Sequence, residues 1–189
     1  MDHYSIIFLS LAIGAYHGIN PSMGWPFCTV IALKKGKALY VLKSSTFLLI
    51  GHIGSVALLA IPLYFIGIAV NIQITGIALI VYGIYRFLKP LKHKYKGSYL
   101  SYLNLALWGF ISSTLHGAGL MIAPLLCISY SLTVLTMITH YIGFFISAFI
   151  ASISTYILGS YIINKIWSIN HDLIWSISLI GMGILIIAV

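Results

Sequence analysis

The residues best suited to chemistry are four histidines in apolar surroundings: His17, His52, His116 and His140. Neutral imidazole is a good ligand for Zn, Ni, Co or Cu, and its titration near neutrality also suits it to relaying protons. His17 opens the motif His17-Gly18-Ile19-Asn20-Pro21-Ser22-Met23-Gly24-Trp25-Pro26, and His116 opens His116-Gly117-Ala118-Gly119-Leu120-Met121-Ile122-Ala123-Pro124. Each is a His-Gly pair followed by Gly and Pro within a long apolar stretch, and His52 and His140 lie in the apolar stretch that follows each motif. A single intramembrane histidine usually does no more than hydrogen-bond between helices; a symmetric set of four points to one shared site. Asn20, Ser55, Ser113, Thr114, Thr136 and Thr139 are placed to orient the rings from behind.

Two further chemistries compete. Cys28 follows His17 by eleven residues and Cys127 follows His116 by the same eleven, so a symmetric thiol pair could carry reducing equivalents by disulfide exchange. Cysteine is also a small buried hydrophobe, and the flanking residues supply no group that would stabilise a thiolate. Pairs of the histidines could instead be axial ligands of a haem in an electron-transfer subunit. Asp172, in Ile166-Trp167-Ser168-Ile169-Asn170-His171-Asp172, is either an intramembrane acid for proton coupling or cation attraction, or a helix N-cap together with Asn170. The chain has no phosphate-binding loop, serine-hydrolase elbow, metalloprotease motif or Cys-x-x-Cys pair, which argues against an enzyme or an ATP-driven pump.

The elements that must position these groups follow from composition. Of 189 residues, 61% are hydrophobic and 6% charged, against about a quarter charged in soluble domains. A soluble fold is excluded, and at roughly 20 residues per span the length predicts six transmembrane helices in a single all-α domain, 1–189. The predicted spans are Tyr4 to Leu33, Ala38 to about Ile61, about Pro62 to Phe87, Ser98 to about Tyr130, Leu132 to about Ile157, and Ile166 to Val189. The N-terminus lacks the basic region of a signal peptide, so the first span is expected to be retained.

Lys34, Lys35, Lys37 and Lys43 fall between spans one and two, Arg86, Lys89, Lys92, Lys94 and Lys96 between three and four, and Lys165 between five and six. The net charge of +8 is thus a topology signal and not a nucleic-acid footprint. It predicts a multi-pass plasma-membrane protein with both termini outside. Three spans per half make the halves, about 1–96 and about 97–189, inverted repeats. Spans one and four should be broken at Gly18, Pro21 and Gly24 and at Gly117, Gly119 and Pro124, because Gly loosens the backbone and Pro removes a donor. Trp167 and Trp175 read as interface anchors, and His3 and His93 as solvated.

The motifs His17-Gly18-x-Asn20-Pro21-x-Met23-Gly24-Trp25 and His116-Gly117-Ala118-Gly119-Leu120-Met121, with Asn170-x-Asp172-Leu173-Ile174-Trp175, resemble those of a group of small, uncharacterised prokaryotic six-span membrane proteins. More loosely, the layout is similar to the lysine-exporter superfamily, which includes nickel/cobalt exporters and the cytochrome-c-biogenesis thiol transporters. The acidic, histidine-rich loop of the nickel/cobalt exporters is missing here. The expectation is a secondary transporter with His17, His52, His116 and His140 lining a midplane site for a divalent transition-metal ion, assisted by Asn20 and Asp172. Its partners would be the bilayer, a small cation and, as alternatives to a monomer, further copies or a larger complex in which it is an accessory subunit.

Overall fold

The computed structural model describes residues 2–66, 72–90, 101–128, 130–159 and 171–188. The expected roles of Lys92, His93, Lys94, Lys96, Lys165, Trp167 and Asn170 fall outside these residues, and the side chains of Cys127, His171 and Asp172 also lie outside the described part. Among the described residues every regular element is helical: α1 (His3–Ile19), a 3-10 turn at Pro21–Met23, α2 (Trp25–Lys35), α3 (Leu39–Ile66), α4 (Ile72–Leu88), α5 (Tyr102–Leu115), α6 (Ala118–Ile128), a 3-10 turn at Tyr130–Leu132, α7 (Thr133–Leu158) and α8 (His171–Ala188). Starts are set by local caps. The Asp2 carboxylate accepts the Ser5 N–H at 3.2 Å, and the Ser5 side chain together with that N–H holds its pKa below the usual carboxylate value; Ser101 Oγ accepts the Asn104 N–H at 3.1 Å.

Among the described residues two helices are long and apolar enough to cross a membrane, one in Leu39–Leu58 and one in Thr133–Leu158. A third span is formed if α5 and α6, bent by 66° at their junction, count as one. The remaining apolar helices, His3–Ile19, Gln73–Leu88 and Leu173–Ala188, are shorter. The six uniform spans of the sequence reading are therefore not what the helices themselves display.

The breaks also differ in detail. The first falls after Ile19, where Asn20 leaves the helix and Pro21 opens the 3-10 turn; Gly18 stays helical. The second falls at His116-Gly117, leaving Gly119 and Pro124 inside α6. Nor does the chain divide at Ile61-Pro62, since α3 runs through Pro62 to Ile66. A proline near the last turn of a long apolar helix removes few hydrogen bonds, and neighbouring groups offset that loss.

The interior mixes polar with apolar side chains, and the exterior is rich in large apolar ones. His17, His52, His116, His140, Ser10 and Thr136 are buried, whereas Phe8, Ile50, Ile77, Leu107, Ile150 and Ile177 are exposed. In water such a surface would be a liability; against lipid it is the expected arrangement.

α1 packs mainly on α7, α3 on α5, and α4 on α8, with α3 and α7 also touching each other. Contacts along α1 and α7 ascend together: Ser10 Oγ donates to the Thr136 carbonyl, Gly14 lies on the His140 carbonyl, and Gly18 on Phe144 and Ser147. Those of α3 and α5 also ascend together, with Leu48 against Gly109, His52 bonded to Ser113 and Ser55 bonded to Thr114. Both pairs are parallel. α4 and α8 run antiparallel, with Gly76 against Gly183 and Gly83 against Ser176.

Two residues expected at the surface are inside. Trp175 is fully buried rather than an interface anchor, because it shares the inward face of α8 with Leu179 one turn later. Arg86, read from sequence as a loop residue, sits in the last turn of α4 and is buried. Lys43, also read from sequence as a loop residue, lies in the second turn of α3, exposed, with its Nζ 4.6 Å from the Tyr102 ring at the start of α5.

Candidate functional site

The site lies between α1, α3 and α7, which bring three histidine rings together. His17, four residues downstream of Ile13, hydrogen-bonds its Nδ1 to the Ile13 carbonyl at 2.9 Å. A carbonyl only accepts, so the neutral ring carries its proton on Nδ1 and presents the Nε2 lone pair inward. That Nε2 is buried and has no hydrogen-bond partner. His52, on α3, bonds through Nδ1 to Ser113 Oγ at 2.8 Å and through Nε2 to His140 Nε2 at 3.1 Å. His140, on α7, keeps a buried Nδ1 with no hydrogen-bond partner. The three ring centroids are 5.8 Å apart for His17 and His52, 5.2 Å for His17 and His140, and 5.2 Å for His52 and His140. Phe144 stacks on His52 at 3.9 Å and walls the cluster on one side.

His116 is held in the same way as His17, its Nδ1 2.7 Å from the carbonyl of Ser112, four residues upstream. Its ring nevertheless faces a different neighbour. Trp175 stands 5.4 Å from His116 and 5.0 Å from His17, and its indole N–H donates to the His116 carbonyl at 2.6 Å. Tyr16 stacks on the indole at 5.5 Å and 9° and hydrogen-bonds Ser178 through its hydroxyl. Three of the four expected histidines thus form one cluster, and the fourth adjoins Trp175.

Among the described residues no three of His, Cys, Asp or Glu stand ready to hold a metal ion. The reason is visible in the bonding: His52 and His140 direct their Nε2 atoms at each other. Two nitrogens bound tetrahedrally to one ion at ~2.0 to 2.1 Å stand about 3.3 Å apart. The observed 3.1 Å is the spacing of a hydrogen bond between the two rings. The same closeness leaves no room for a macrocycle between these two rings.

The other expected residues take separate places. Asn20 caps the 3-10 turn through its side-chain oxygen, which accepts the Ser22 N–H at 3.0 Å. Ser113 does orient His52, whereas Ser55 and Thr114 bond to each other at 2.9 Å and Thr139 bonds to Ser10 at 3.0 Å. Asp172 lies in the first turn of α8. Cys28 is a free, buried thiol beside Ser45 and Ser152. Two cavities flank the breaks, one of about 150 Å³ between Tyr16, Asn20, Pro21 and Ile174, the other of about 160 Å³ between Ser55, Thr114, Gly117 and Leu120.

Trp175 and Tyr16 are the residues that sequence reasoning missed. The helical spacing of Trp175 and Leu179 was a usable signal for an inward-facing indole. In comparison with known proteins, the chain matches no family model, no curated protein and no solved structure.

Proposed function

We propose that this chain is a six-span transporter for a divalent transition-metal ion, made of two inverted three-span halves with both termini outside the plasma membrane. The observation that carries the reading is the buried triad of His17, His52 and His140, with one lone pair unmatched at His17 Nε2 and two nitrogens at near-coordinating separation. Buried imidazoles are costly in a bilayer core and are a default sign of function there. Backbone-anchored Nδ1 atoms at His17 and His116 are the ring-orienting contacts that metal-binding histidines use.

The inverted halves are supported by matched contacts. The shift that carries His17 onto His116 carries Ser10 onto Gly109, Gly14 onto Ser113 and Ala15 onto Thr114; the shift that carries His52 onto His140 carries Leu48 onto Thr136 and Ser55 onto Gly143. Under these two shifts Ser10/Thr136 becomes Gly109/Leu48, Gly14/His140 becomes Ser113/His52, and Ala15/Gly143 becomes Thr114/Ser55, and all six pairs are in contact. In this reading the shorter helices α4 and α8 complete spans three and six. α1 with α2, and α5 with α6, are the broken spans one and four, placed at corresponding positions of the two halves as in other inverted-repeat transporters. Lys43 against Tyr102 fits a shared cytoplasmic end for α3 and α5.

The test is elemental analysis of the detergent-purified chain after exposure to mixed Ni, Co, Zn and Cu, followed by metal uptake into proteoliposomes. Stoichiometric metal and uptake in the parent, both lost in His17→Ala and His52→Ala, are expected. Metal-free protein with no uptake at any pH from 6 to 8 would overturn the assignment.

A further inference from the structure

The densest charge outside the histidine site lies where α2 turns into α3. α2 ends with Lys34 and Lys35, Gly36 turns the chain at φ +67°, Lys37 precedes α3, and the second turn of α3 carries Lys43. All four lysines are exposed. Lys34 and Lys35 suit the C-terminal end of α2, but Lys37 stands just before the first turn of α3, the end at which a helix disfavours positive charge. Nor does the fold of such a connection require cations: the segment from Ala118 to Leu158, which carries α6 and α7, contains no Lys, Arg, Asp or Glu. The chain's two acidic residues, Asp2 and Asp172, belong to the starts of α1 and α8. Large apolar side chains, Leu33, Leu39 and Leu42, are exposed among the lysines. Tyr102 adds an aromatic ring, stacked on Phe47 at 5.0 Å and set 4.6 Å from Lys43 Nζ. A lysine held against a ring keeps N–H donors for an anion.

We propose that the tip of the α2–α3 hairpin, with Lys34, Lys35, Lys37 and Lys43, is a docking surface for the headgroups of acidic phospholipids. The four ammonium groups call for an anion, and the leucines between them call for hydrocarbon. An acidic lipid supplies both in one molecule, whereas a free phosphate supplies only the first. Lysine stems lie along apolar surface while their charged ends reach the headgroups, and tyrosine rings favour that same level of a bilayer. Basic residues beside a span attract anionic lipids on electrostatic grounds alone. This rests on the bilayer part of the transport reading and is independent of its metal.

The experiment is equilibrium binding of tail-labelled phosphatidylglycerol and tail-labelled phosphatidylcholine to the full chain in nonionic detergent at low salt. The parent should bind the anionic lipid about a hundredfold more tightly than the zwitterionic one. Each single Lys→Gln change at 34, 35, 37 or 43 should weaken phosphatidylglycerol binding by about fivefold and leave phosphatidylcholine binding unchanged. Lys34→Gln/Lys35→Gln/Lys37→Gln should remove most of the preference, and Lys34→Arg/Lys35→Arg/Lys37→Arg should keep it. Salt that shortens the Debye length from about 10 Å to about 3 Å should weaken the same binding without any substitution. Glycerol phosphate, a phosphate ester without acyl chains, should fail to displace the lipid at equal concentration. Equal affinity of the parent for both lipids, or a preference that survives the triple Gln variant with Lys43→Gln added, would overturn the surface. A loss as large in the triple Arg variant would overturn the role of charge, and full displacement by glycerol phosphate would overturn the choice of a lipid. All of these leave the histidine site untouched; a chain that stays monodisperse without detergent would instead overturn the bilayer reading, and this surface with it.

Discussion

The two broken segments begin with the same dipeptide and break differently. After His17 the helix continues through Gly18 and Ile19, because Gly18 lies against the Phe144 carbonyl and Ser147 of α7 and serves close packing. The break is made further on, where Asn20 leaves the helix, Pro21 offers no N–H, and Gly24 turns the chain into α2 at φ +107°. After His116 the break is immediate, since Gly117 itself adopts φ +70°. His17 is consequently held within a helix and meets His52, His140 and Trp175, whereas His116 caps the end of α5 and meets Trp175. The same Gly serves a helix or ends it according to whether a neighbouring backbone is pressed against it.

The sharpest way to break this comparison is at the helix crossings. A Cβ at Gly143 would overlap the Leu11 carbonyl of α1, and one at Gly51 the Ala106 carbonyl of α5; neither obstacle is a side chain able to rotate away. Gly143→Leu and Gly51→Leu should each cost about 3 kcal/mol or more, the upper end of overpacking, and thermal unfolding in detergent should show loss of a cooperative, monodisperse species. Equal losses would treat the α1/α7 and α3/α5 crossings as equivalents. Tolerance of one alone would end that equivalence.

Next in size are the two motif glycines. Gly18→Ala meets backbone at Phe144 and should cost about 1–3 kcal/mol. Gly117→Ala meets a tyrosine ring, Tyr82, at 3.2 Å and pays mainly for a left-handed backbone, about 1–2 kcal/mol. The informative contrast is with Asn, which tolerates positive φ: it should recover part of the loss at 117 and none at 18. Denaturation midpoints for the four variants decide this, and recovery at both positions would mean that the two glycines do the same job.

What was legible in the sequence was composition, matched motifs and depth along the chain. These placed His17, His52 and His140 close enough to meet, because residues in the middle of crossing helices are brought to one level whatever the details. Helix rotation was not legible. It is decided by which faces interlock: His116 approaches Trp175 of α8, and that indole is buried where an interface anchor would face the lipid. The positions of the breaks were only partly readable, since Pro62 and Pro124 lie within helices while Pro21 marks a true break. Proline reports a lost donor, and only tertiary contacts decide whether the helix continues past it.

The smallest expected effect separates the two central histidines. His52 is oriented by Ser113, but the residue matched to Ser113 in the first half is Gly14, so His140 has no corresponding hydroxyl and its Nδ1 stays without a partner. Ser113→Ala removes one buried hydrogen bond, worth about 0.5–1.5 kcal/mol, and gives His52 the same freedom as His140. Stability should fall by that small amount in a detergent melt. Metal affinity should fall by a similar factor, about three- to tenfold, because a ligand whose orienting partner is lost must be ordered on binding. Ser113→Thr keeps the hydroxyl and should keep the affinity. If Ser113→Ala lowered stability with no change in affinity, the hydrogen bond would belong to the α3/α5 crossing alone, and His52 and His140 would already be equivalent in the site.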